Sequence, residues 1–176
     1  MIFNPTPLAG SYLIHQEPIL DNRGSFARSY CQDEFIAQGL NPFLVQCNIS
    51  FNKVLGTLRG MHYQKAPYVE AKLVRCTQGS IYDVIIDLRP ESKTFKQYFG
   101  AELSAQNRNA IYVPPGFAHG FITLQDNTEV LYQMSEFFHQ ECAAGVRWND
   151  PIFAIKWPLD IVIISERDQN YRDFVS

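Results

Sequence analysis

Apolar and polar positions change over quickly along this chain. Six short β-rich runs stand out: FLVQCNIS (43–50), AKLVRCTQGSIYDVIIDL (71–88), KQYFGAEL (96–103), AIYVPP (110–115), HGFITL (119–124) and EVLYQMSEFF (129–138). Turn-forming clusters punctuate the chain, among them Asp21-Asn22-Arg23-Gly24, Gly39-Leu40-Asn41-Pro42, Gly79-Ser80, Arg89-Pro90, Pro114-Pro115-Gly116, Asp126-Asn127 and Asn149-Asp150-Pro151. Many short strands with regular turns predict an all-β sandwich or barrel. IYDVIIDL nearly alternates and is the clearest strand. The expected helix is short, over QDEFIAQGL (32–40), with Gly39 as its stop. The polar tail SERDQNYRDF (165–174) suits either a helix or a loop folded back over the body. No internal repeat or low-complexity segment is present.

The strand period assigns faces. In GTLRGMHYQ (56–64), His62 and Gln64 point one way and Tyr63 the other. Lys72, Val74 and Cys76 share a face in the same way. Residues 1–176 are expected to form one domain, long enough to bury a real core. A net charge of −3 supplies no basic field for nucleic acid. No apolar stretch approaches the roughly twenty residues of a membrane span. The N-terminal MIFNPTPLAGSYLI lacks a positive leader region, so a cytoplasmic location is expected. Cys31, Cys47, Cys76 and Cys142 form no CxxC pair and are expected as reduced thiols.

His62 is the first candidate for chemistry. Gly56, five residues and then His62 resembles the opening of the metal-binding cupins, and PPGFAH (114–119), ending in His119, resembles their second motif. The usual second histidine of the first motif is missing, because the triplet is His62-Tyr63-Gln64. Two histidines make a poor transition-metal set, so no metal is expected. Acid–base work is the alternative, and a neutral imidazole suits proton abstraction at neutral pH. Such a base needs a carboxylate on its other ring nitrogen. Asp168, Asp83 and Asp87 are all candidates for that role.

Taken in order, DNRGSFARSY, VQCNISFNKVLGTLRGMHYQ, AKLVRCTQGSIYDVIIDLR, IYVPPGFAHGF, VLY, GVRWNDP, IKWP and SERDQ resemble the dTDP-4-dehydrorhamnose 3,5-epimerase family of cupins. The resemblance runs from about residue 3 to 170. It implies a jelly-roll fold, a homodimer, no cofactor, and inversion of carbons next to the ketone of a 4-keto-6-deoxy nucleotide sugar. It implies that His62 is the base, Asp168 its orienting carboxylate, Lys72 the cation at the enolate oxygen and Tyr132 the acid on the opposite face. Arg23 and Arg59 match arginines near the diphosphate. Gln46, Asn48 and His119 match residues lining the sugar pocket, and Phe26 falls in the same substrate-contacting stretch as Arg23. His15 and His139 match nothing and are expected at the surface.

Four positions depart from the family pattern. Arg28 stands where an acidic residue is usual, Phe138 where a base-stacking tyrosine is common, Cys47 for an aspartate and Glu70 for a glutamine. Thymine offers an N3–H donor and cytosine an N3 acceptor, so an arginine at 28 either suits CDP better than dTDP, or points to solvent or pairs with phosphate. The motifs alone do not separate a 3,5-epimerase from a relative that inverts only C3 or only C5, on a CDP or other nucleotide sugar. A non-catalytic sugar-binding cupin and a metal-dependent oxygenase are further rivals.

Overall fold

The structure, a computed structural model, describes residues 1–175. Strands β1 (Ile2–Pro5) and β2 (Tyr12–His15) open the chain, followed by the hairpin β3 (Ile19–Asp21) and β4 (Gly24–Phe26). Helix α1 (Gln32–Ala37) stops before Gly39, as expected, and the Leu40 amide closes on the Phe35 carbonyl. Then come β5 (Gln46–Asn52), β6 (Thr57–Gln64), β7 (Lys72–Gln78), β8 (Ser80–Asp87), β9 (Tyr98–Ser104), β10 (Ala110–Val113), β11 (Phe117–Thr123) and β12 (Thr128–Met134). A 3-10 turn, β13 (Ala143–Gly145), β14 (Ile163–Ile164) and α2 (Glu166–Gln169) complete it.

Two sheets face each other. One has the order β1-β2-β10-β7-β12-β5 and the other β13-β6-β11-β8-β9, with β14 beside β6. The chain crosses between them at Gly79, so the long run 71–88 is two strands in different sheets. Val74, Cys76, Ile111 and Val130 of the first sheet meet Ile81, Ile85, Leu103 and Phe121 of the second in the shared core. Each such fully buried aliphatic contributes roughly 1.5–3 kcal/mol through removal from water. The mostly antiparallel sandwich is the jelly roll of the sequence expectation.

Both outer faces are also partly covered. Phe35 of α1 seals Leu73, Ala110 and Tyr112 on the first sheet. The C-terminal segment lays Val146, Phe153 and Phe174 over Met61, Val84 and Ile86 on the second. Strand β8 is therefore buried on both faces, which explains why its alternation is incomplete. Its interior face carries Ile81, Asp83, Ile85 and Asp87, so two carboxylates enter the interior on strand parity alone.

Strands β6 and β11 approach closely at paired glycines. A methyl group on Gly60 would lie 2.6 Å from the Gly120 Cα, and Gly60 has a φ of +141° that other residues rarely adopt. This contact sets β6 tightly against β11 next to His62.

Candidate active site

The site lies between the sheets at one end of the sandwich. The second sheet supplies Arg59, His62 and Gln64 from β6 and His119 from β11. The first supplies Asn48 from β5, Lys72 from β7 and Tyr132 from β12. Register fixes their proximity: Tyr132 pairs with Asn48, Met134 with Lys72, and His119 with His62. His62, Lys72 and Tyr132 line both a cavity of about 160 Å³ and a deeper one of about 70 Å³. Gln64, Glu70, Phe138 and Arg167 join the outer cavity, and Arg59, His119 and Phe121 the inner one. His62 and Gln64 thus share a face as the period predicts.

The edge of β6 away from β11 explains how His62 is held. Strand β13 pairs with His62–Gln64, and β14 runs parallel to Thr57–Leu58. The Gly60 amide lies in the gap between them and donates to Asp168 Oδ2 at 3.2 Å. Asp168 Oδ1 meets His62 Nε2 at 2.7 Å. Ser165 caps α2 by accepting from the Asp168 amide at 3.1 Å, which fixes the acid on its short helix. A carboxylate accepts only, so neutral His62 donates from Nε2 and leaves the Nδ1 lone pair open toward the cavity. Burial pushes the Asp168 carboxyl up, but the hydrogen bond and charge of His62 and the Gly60 and Ser165 bonds outweigh it, and its pKa lies below the ordinary value.

Lys72 Nζ binds Glu70 Oε1 at 2.9 Å and the His62 carbonyl at 3.4 Å. An ammonium has three donors, so one remains for the cavity. The Glu70 carboxylate is only 9% exposed and approaches the Gln64 amide at 3.4 Å. Gln64 also donates to the Tyr68 and Phe137 carbonyls and accepts from the His139 amide, tying the rim loops to β6.

Asp83 does not orient His62. It is fully buried and pairs with His119 Nε2 at 2.7 Å, forming a second acid–imidazole pair beside the first. Burial pushes its carboxyl up, and the charges of His119 and Lys72 offset only part of that rise. Asp87 is also excluded as the orienting acid: Arg89, Ser92 and Thr94 enclose it. Among the described residues no group of three or more His, Cys, Asp or Glu side chains is placed to hold a metal ion.

Arg23, Phe26 and Arg28 are not brought to this cavity within the chain. Arg23 pairs with Asp21 at 2.6 Å and Arg28 with Glu34 at 2.6 Å, both on the exposed β3–β4 side. Arg28 keeps 62% of its side chain exposed beside Glu34. Gln46 sits at the rim, where its carbonyl oxygen accepts from the Phe138 amide at 3.0 Å. His139 is not a plain surface residue, because its ring stacks on Tyr68 at 3.5 Å between centroids. The sequence reading assigned no role to Arg167 or Ala143. Arg167 was signalled only by standing next to Asp168, and Ala143 carried no signal.

The comparisons with known proteins agree. The family model described as dTDP-4-dehydrorhamnose 3,5-epimerase matches residues 5–176. A dTDP-4-dehydrorhamnose 3,5-epimerase of Methanothermobacter thermautotrophicus is 41% identical over 173 residues, covering 97% of this chain and 92% of that protein. The crystal structure of the Elizabethkingia anophelis enzyme of that name superposes with a TM-score of 0.96 at 41% identity, over 99% of this chain and 96% of the other. That of the Bacillus anthracis enzyme, with TDP and PPi bound, gives 0.94 at 40% identity, over 98% and 99%. With the acid–imidazole pair, the lysine and the tyrosine gathered in one cleft of a jelly roll, the chain belongs to the dTDP-4-dehydrorhamnose 3,5-epimerase family.

Proposed function

We propose that this chain inverts C3 and C5 of dTDP-4-dehydro-6-deoxyglucose through an enolate, on the path to dTDP-L-rhamnose. The observation that carries the reading is His62, oriented by buried Asp168, facing Lys72 and Tyr132 across one cavity. An α-proton of a ketone is far less acidic than an imidazolium, so the enolate must be stabilised as it forms. The free donor of Lys72 supplies a fixed charge for its oxygen. His62 Nδ1 takes the proton, and Asp168 stabilises the imidazolium that results. Inversion then needs a proton from the other face, and Tyr132, on the opposite sheet, supplies it. Arg59, Asn48 and His119 bind and orient the sugar and its diphosphate. No redox or metal chemistry is required by these steps.

The reading takes residues 1–176 as one catalytic domain working as a homodimer in the cytoplasm. Four unpaired cysteines support a reducing compartment. The hairpin β3–β4 pairs with no other described strand, and Leu20 and Phe26 on it are 74% and 75% exposed. Ile49 and Phe51 on β5, an edge strand of the first sheet, are exposed as well. A second copy would cover these apolar residues and offer Arg23, Phe26 and Arg28 a His62 cavity across the interface. Light scattering at micromolar concentration should give twice the chain mass; a monomer would remove this part of the reading.

The direct test is proton NMR in D2O with the dTDP sugar and its CDP counterpart. Deuterium should enter both C3 and C5 of the dTDP sugar, faster than on the CDP sugar, and His62→Ala should abolish exchange while keeping nucleotide affinity. Exchange at one carbon only would replace the 3,5-epimerase by a single-site enzyme.

A further inference from the structure

Residues 163–174 form a strap along the edge of β6 that faces away from β11. It begins with β14 beside Thr57–Leu58 and passes through Asp168. Farther on, Asp173 pairs with Arg147 at 2.6 Å, and the Phe174 amide donates to Asp150 Oδ2 at 2.5 Å. The Phe174 ring packs on Phe153 at 5.5 Å between centroids. The strap is thus fastened on both sides of Tyr171.

Tyr171 meets the proposed base. Its ring stands edge-on to His62, with centroids 6.1 Å apart and planes at 69°. The Arg167 guanidinium lies 5.8 Å from its centroid, on the turn of helix that carries Asp168. Gly145, the register partner of His62 on β13, makes room for it: any side chain there would collide with the Tyr171 ring. Among the described residues the buried phenol oxygen has no partner in good hydrogen-bond geometry, and the Arg167 guanidinium acts on it as a nearby charge. An unpaired buried hydroxyl is unfavourable, so the ring and not the hydroxyl accounts for this placement.

We infer that Tyr171 is a positioning residue for the reaction: its ring, edge-on to the His62 imidazole, confines that imidazole outside the cavity and braces the strap that carries Asp168. The inference rests on His62 being the base. With the ring removed, His62 gains rotational freedom about its Cβ–Cγ bond, and small displacements of a reacting group can cost about 10²-fold in rate. The phenol hydroxyl contributes nothing to this role, so phenylalanine should replace tyrosine.

The test compares full-length wild type, Tyr171→Ala and Tyr171→Phe, with Tyr171→Leu in place of alanine if that variant does not fold. Two readouts are taken. The first is kcat and KM for deuterium exchange into the dTDP sugar. The second needs no substrate: the downfield proton NMR signal of the His62 Nε2–H bonded to Asp168. Alanine should lower kcat by about 10- to 100-fold with KM nearly unchanged, and broaden the downfield signal. Phenylalanine should restore most of the rate and the signal. A Tyr171→Ala enzyme that loses thermal stability but keeps kcat and the signal would overturn the inference, as would a Phe variant no better than Ala. Absence of exchange in the wild type would defeat the proposed reaction, while the downfield signal would still decide the positioning role.

Discussion

Replacing Asp168 by asparagine changes almost no volume, yet it puts one amide oxygen and one NH2 group where two acceptors stood. Both neighbours of Asp168 donate: the Gly60 amide to Oδ2 and His62 Nε2 to Oδ1. The Gly60 N–H is buried backbone and cannot change role, so the amide oxygen goes there. The NH2 group then faces His62, whose Nε2 must become an acceptor. The ring proton moves to Nδ1, and the nitrogen facing the cavity loses its lone pair. Restoring the productive tautomer sets two donors against each other, at about 1–3 kcal/mol. The imidazolium formed in the reaction also loses a charge-assisted bond, worth about 1.5–2 kcal/mol when one partner is part-exposed as His62 is. Together these amount to about 2.5–5 kcal/mol, or roughly a 10²- to 10⁴-fold loss in kcat. Stopped-time NMR of C3 and C5 deuteration gives kcat, and calorimetry with dTDP checks that nucleotide affinity is kept. An Asp168→Asn enzyme within about five-fold of wild type would refute the argument.

Two further outcomes concern stability. Burial pushes the Asp87 carboxyl up, but Arg89, Ser92 and Thr94 overcome it and hold the pKa at about 2, against an ordinary 3.8. A lowered folded value means that this contribution is complete above about pH 4 and is lost as pH falls through about 2; it is about 2 kcal/mol. Urea melts of wild type and Asp87→Asn should therefore converge as pH falls over that range, and parallel curves would contradict it. Gly120→Ala would set its methyl 2.7 Å from the Arg59 carbonyl oxygen, which belongs to backbone that cannot rotate aside. Unfolding should shift to lower urea by about 1–3 kcal/mol, and an unchanged midpoint would show that β6 and β11 can separate.

The sandwich was legible because its central strands carry strong local signals. IYDVIIDL has a period and a β-rich composition that no helix would share, and Gly39 ended the one expected helix correctly. Where the reading fell short, the determinant was another part of the chain. FLVQCNIS becomes strand only at Gln46, where β12 begins to pair with it. Ala143-Ala144-Gly145 has no strand propensity and is extended only because the edge of β6 needs a partner. The same holds at the site. His62 was singled out by its motif, but Asp83, Asp87 and Asp168 were equal candidates by residue type, and Asp168 stands 106 residues away from its partner. Only the family resemblance preferred it before folding showed the contact. The pairing of Asp83 with His119 could have been found from strand parity, since an acid on the inner face of β8 must meet a donor or be neutralised. The partner of Arg28 within its own chain, Glu34, could not be read from residue type alone.

The arrangement at the edge of β6 also separates in time what the finished molecule joins. A ribosome delivers the strands from β1 to β12 before residue 140, and these include the imidazole, the lysine and the tyrosine. The acid that sets the tautomer, Asp168, follows only after all of them. A nascent sandwich can therefore collapse around its apolar core while its histidine is still free to hold its proton on either nitrogen. On the proposed mechanism, reactivity follows only once the strap has docked Asp168 against His62.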